Sequence, residues 1–77
     1  MTTKKKIETI ETWLKEDFNQ NAYVEESDPR IGRKYAVATP AKTCGANYWT
    51  DWLSIDTLME VVRMLRNYNS FIKIKEA

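Results

Sequence analysis

No internal cross-link is available to this chain, because Cys44 is its only cysteine and it has no histidine. A disulfide needs two thiols and a tetrahedral zinc shell needs four nitrogen or sulfur ligands. The 77 residues must therefore be held by side-chain burial and backbone hydrogen bonds alone. A domain of this size buries only about 60% of the surface its unfolded chain exposes, so its margin is thin. The residues that meet this demand are three Trp, four Tyr and two Phe, each able to bury roughly 150–250 Å². A protein partner or self-association is the other source of stability. With 43% hydrophobic and 30% charged residues, the chain lies well inside the composition of folded proteins.

Two helical stripes bracket a β-rich middle. From Lys4 to about Asn19, Ile7, Ile10, Leu14 and Phe18, joined by Trp13, recur at three- and four-residue spacing. Thr2 or Thr3 caps this helix, and the pairs Lys4/Glu8 and Glu11/Lys15 place opposite charges at i,i+4. Asn19-Gln20-Asn21 ends it. Ala22–Glu26 and Arg33–Thr39 read as strands, the second with Tyr35, Val37 and Thr39 on one face. The intervening Ser27-Asp28-Pro29-Arg30-Ile31-Gly32 has the Asp-Pro start and Gly end of a reversing loop, which predicts an antiparallel hairpin. Pro40 stops the second strand. After the loop Ala41–Ala46, the aromatic run Asn47–Leu53 reads as a third strand.

Ser54 and Asp56 are N-terminal signals for a second helix. Its buried stripe is Ile55, Leu58, Met59, Val62 and Leu65, with Val61 beside them, and it ends at Asn67-Tyr68-Asn69. Ser70–Lys75 then alternates, with Ile72 and Ile74 opposite Lys73 and Lys75, and predicts a last strand. The expected fold is a single small α+β domain over residues 1–77, in the order α-β-β-β-α-β. Its antiparallel sheet carries both helices on one face, and residues 1–4 and 76–77 are expected to fray.

Composition excludes most chemistry. Without histidine, the Ser-His and Cys-His pairs of nucleophilic catalysis cannot be assembled. Glu25-Glu26, Asp51 and Asp56 read as solvated strand edges and a helix start. Two glycines, Gly32 and Gly45, cannot make a phosphate cradle. The acidic loop at Glu25–Asp28 lacks calcium-loop spacing. Cys44 reads as an inert loop thiol. The expectation is a non-enzyme with no cofactor and no metal. A net charge of +1 supplies no strong field toward nucleic acid or an anionic membrane. No apolar run reaches the roughly 20 residues of a membrane span or follows the pattern of a signal peptide, so a cytoplasmic location is expected.

Two surfaces remain as candidates. In the third strand, alternation sends Tyr48, Thr50 and Trp52 to one face and Trp49, Asp51 and Leu53 to the other. Tyr48, Trp49 and Trp52, with Tyr23 or Tyr35 from neighbouring strands, are the candidates for a protein-binding patch or homodimer interface; the alternative is that these rings fill gaps in a small core. The second surface is basic, built from Lys4, Lys5 and Lys6 with Arg30, Arg33, Lys34, Lys42, Lys73 and Lys75, and would serve single-stranded nucleic acid if those residues converge. The sequence favours a protein-interaction module, an adaptor, inhibitor or accessory regulator, over a nucleic-acid-binding protein. Short motif-free chains of this kind are common among accessory proteins of phages and other mobile elements.

Overall fold

A computed structural model of the chain describes residues 1–76; for Ile31 and residues 71–76 the description covers the backbone alone. Helix α1 spans Thr3–Asp17, and the Lys5 N–H donates to the hydroxyl of its N-cap, Thr2, at 3.1 Å. Its end is set by Asn19. The Asn19 N–H donates to the Leu14 carbonyl at 2.9 Å, and its side-chain oxygen and its carbonyl accept from the N–H groups of Asn21 and Ala22. The turn delivers the chain into strand β1, Tyr23–Glu26.

β1 pairs antiparallel with β2 (Tyr35–Pro40), which pairs antiparallel with β3 (Ala46–Tyr48), giving the sheet order β1-β2-β3. The β1–β2 connection is closed by Ser27. Its hydroxyl donates to the Gly32 carbonyl at 2.7 Å and accepts from the Lys34 N–H at 3.0 Å. Gly32 sits at φ +97°, a left-handed conformation that a side chain would strain.

Helix α2 spans Ile55–Glu76, and the Ser54 hydroxyl accepts from the Thr57 N–H at 3.2 Å at its start. Both helices lie on one face of the sheet. Ile10 and Leu14 of α1, Leu58 and Val62 of α2, and Tyr35 and Val37 of β2 meet there with Ala22 as one buried cluster. Full burial of the aliphatic members is worth roughly 1.5–3 kcal/mol each. The result is a small α+β domain of two layers, 18 Å through its thinnest dimension. No helix among the described residues is long and apolar enough to cross a membrane.

Four expectations are corrected. The segment Ser70–Lys75 is not a strand, since α2 runs through it and through Asn67-Tyr68-Asn69 to Glu76. No Gly or Pro follows Gly45 to stop the helix, and each Asn costs well under about 1 kcal/mol in its interior, less than ending one element and nucleating another. Tertiary ties also hold the helix across its expected end, because Arg66 just before it donates to the Asp17 carboxylate at 2.7 Å and Asn69 within it donates to the Asp17 carbonyl at 3.3 Å. Leu65, expected in the core, is 46% exposed, because α2 packs through Leu58, Met59 and Val62 and turns Leu65 toward the helix edge.

The third strand is shorter than Asn47–Leu53. β3 ends at Tyr48, and pairing resumes only at a single Tyr35–Leu53 bridge. Lastly, Glu11 forms no ion pair with Lys15; its carboxylate accepts from the Val24 N–H at 3.0 Å and ties α1 to β1.

Candidate functional site

The segment after β3 decides what the sheet presents to solvent. The pairing of Ala38 with Tyr48 and of Tyr35 with Leu53 differs in register by two residues, so residues 50–52 bulge from the ladder after the Trp49 N–H has donated to the Val37 carbonyl at 2.8 Å. The Thr50 hydroxyl accepts from the Val37 N–H at 3.1 Å, replacing the carbonyl that a regular strand would offer. Because the shift is even, it preserves which residues share a face. Tyr48 and Trp52 stand on the side away from the helices. Leu53 turns inward and packs partly buried against the core. Trp49 also lies on the helix side, its indole N–H donating to the Thr39 hydroxyl at 3.2 Å.

On the outer face, Tyr23, Ala38 and Tyr48 form one cross-strand row and Glu25 and Ala36 the next. Resumption of pairing at Leu53 brings Trp52 beside Ala36. Ala36 and Ala38 expose no surface, although their side chains face away from both helices. Their cover is aromatic. The Tyr48 and Trp52 ring centroids are 5.3 Å apart at an interplanar angle of 51°. Across β2 the Glu25 carboxylate on β1 is the main cause, through hydrogen bonding, of a Tyr48 phenol pKa above the ordinary tyrosine value. Even so, Tyr48 remains 52% exposed and Trp52 39%.

Glu25 is the residue that sequence reasoning passed over as a solvated strand edge. Its Oε2 is sealed from water and has no hydrogen-bond partner, the one such side-chain atom among the described residues. The described ion pairs join Lys6 to Asp56, Arg30 to Asp28, Arg63 to Glu60, and Arg66 to Glu16 and Asp17, so among the described residues no cation lies within ion-pair distance of Glu25. One signal was available: Tyr23 and Glu25 are two residues apart in a strand and must share a face.

The other candidates divide. Tyr35 is 4% exposed and belongs to the core on the helix side, so it is not part of an outer patch. Tyr23 is half-buried in the row that carries Tyr48. Trp49 is 49% exposed and lines a separate apolar cleft of about 250 Å³ with Phe18, Val62 and Leu65. Met64, Leu65 and Tyr68 continue that apolar edge along α2.

The basic candidates do not form one surface. Arg30 is held by Asp28 at 2.7 Å. Arg33 and Lys34 precede β2 while Lys42 follows it, and a six-residue strand separates its ends by roughly 20 Å. Lys73 and Lys75 lie in the last turns of α2, where only the backbone is described. Cys44 is exposed in the β2–β3 loop as a free thiol. No protein-family model, curated protein or solved structure matches the chain.

Proposed function

We propose that the chain is a non-enzymatic protein-interaction module that works by presenting the outer face of its sheet, with Tyr48 and Trp52 as the anchoring side chains. The observation that carries this reading is the pair itself. Two large rings stand 5.3 Å apart on a face that no helix covers, and both keep a large exposed fraction. Trp and Tyr dominate the energetics of protein interfaces because they bury much area for few torsions. Adaptor, inhibitor and accessory regulator are the roles that suit a small module of this kind, including one of mobile-element origin. A cytoplasmic setting agrees with the free Cys44 thiol.

The competing account is that the rings serve only as a lid over Ala36 and Ala38. Trp52→Ala separates the two. Partner capture from the native host, read by mass spectrometry, and mass in solution are both measured on wild type and variant. The expected outcome is a folded variant that has lost its partner or its self-association. A variant that unfolds assigns Trp52 to the core instead. Comparing nuclease-treated with untreated samples tests the nucleic-acid alternative, which the separation of Arg33 and Lys34 from Lys42 does not favour.

A further inference from the structure

We propose that the outer face of the sheet receives a guanidinium, the side chain of an arginine on a partner protein, held between the Trp52 and Tyr48 rings and the Glu25 carboxylate. This inference rests on the interaction reading above and names what that surface recognises.

A partly buried carboxylate without a cation is costly, and a buried oxygen without a donor adds to the cost. Glu25 has both features among the described residues, with no Lys or Arg within ion-pair distance and Oε2 unpartnered. Its surroundings are aromatic. Rings attract cations through their negative faces, most strongly for Trp. Tyr48 and Trp52, tilted 51° to each other, both keep a large exposed fraction, and Tyr48 reaches the carboxylate.

The protein already contains this arrangement in a filled state. At the α1–α2 seam, the Arg66 guanidinium lies 5.2 Å from the Trp13 ring centroid and donates to the Asp17 carboxylate at 2.7 Å. There a tryptophan and a carboxylate share one arginine. On the outer face a tryptophan, a tyrosine and a carboxylate have none. Arginine fits better than lysine because a planar guanidinium stacks on a ring while its edge N–H groups donate to a carboxylate. Glu25 keeps partial exposure as a residue, so rotation of its side chain presents an oxygen without moving β1.

The test uses the intact, isotope-labelled chain. N-acetyl-arginine amide, N-acetyl-citrulline amide and tetramethylammonium are titrated while the Trp52 indole N–H is followed by NMR, assigned with Trp52→Phe. Citrulline keeps the shape of arginine and removes its charge. Saturable millimolar binding of the arginine amide is expected, with citrulline weaker by about tenfold or more, or at least about 1.4 kcal/mol. In Glu25→Gln the preference for arginine over citrulline should disappear. Equal binding of arginine and citrulline by the wild-type chain overturns the proposal, as does a preference that survives in Glu25→Gln. Tetramethylammonium binding as tightly as arginine also overturns it, because the rings would then be reading charge without the guanidinium. The wild-type comparison needs no variant, so misfolding of Glu25→Gln does not spoil the test. If Trp52→Ala loses its partner while arginine and citrulline bind alike, the surface stands without the guanidinium; if Trp52→Ala keeps its partner, the surface itself falls.

Discussion

Trp13 and Trp52 occupy two versions of one chemical setting, and the difference lies in what their neighbours supply. Trp13 lies between the helices with Arg63 and Arg66 near its ring, at 5.9 and 5.2 Å, and Arg66 is fixed in turn by Asp17 and Glu16. Every charge in that seam has an opposite. Trp52 lies on a sheet face where a carboxylate is present and, among the described residues, no cation pairs with it. Long flexible arginines on one helix can lean over a ring on another, whereas on the outer face no described ion pair reaches the Glu25 carboxylate. The first site is filled from within the described chain; in the proposed reading the second is filled by a partner.

The comparison breaks most easily on stability. Trp13→Ala should cost about 3 kcal/mol in denaturant unfolding, because it removes a ring packed against the core and the platform for two arginines. Trp52→Ala should cost less, about 1–2 kcal/mol, since its partly exposed ring packs against Ala36 and the Tyr48 ring outside the core cluster. Equal losses from the two variants would make the outer face a core and end the comparison.

A smaller effect is expected at the polar half of the filled site. Arg66→Ala should cost about 1–2 kcal/mol, since it frees the partly buried Asp17 carboxylate. Part of that loss should vanish in high salt. A double-mutant cycle between Arg66 and Trp13 should give a coupling of about 0.5–1 kcal/mol; no coupling would mean that ring and guanidinium are merely adjacent.

The smallest effect is the titration of Tyr48. Its phenol is held above the ordinary tyrosine value mainly by its contact with Glu25. The neutral phenol is the form that suits the fold, so its contribution is complete below the ordinary value and fades as pH rises through the raised one. Ultraviolet titration should show the Tyr48 phenol ionising later in the wild-type chain than in Glu25→Gln. A late tyrosine that ignores Glu25→Gln would place the cause elsewhere.

Much of this was legible in the chain. The Thr2 and Ser54 caps act through local hydrogen bonds, and the Ile10/Leu14 and Leu58/Val62 stripes follow from helical spacing. The opposite facings of Tyr48 and Trp49 follow from strand alternation and survive a bulge because the register shift is even. The misread tail, Ser70–Lys75, shows where such patterns fail. Six alternating residues fit a strand, yet Ile72 also continues the helical series of Val61, Leu65 and Tyr68. Contacts at Asp17 favour the helix, and they lie some fifty residues away in sequence.

The sequence by itself determined that no cross-link or histidine chemistry is possible, that two amphipathic helices flank a hairpin, and that Tyr48 and Trp52 share a face. These follow from residue counts and from the periods of helix and strand, which need no knowledge of neighbours. Only the tertiary structure decided that Tyr35 is core, that Leu65 is not, and that Glu25 stands without a cation beside two open rings. Burial and charge pairing depend on what packs alongside, and on the outer face of this sheet that is two half-exposed rings and no helix.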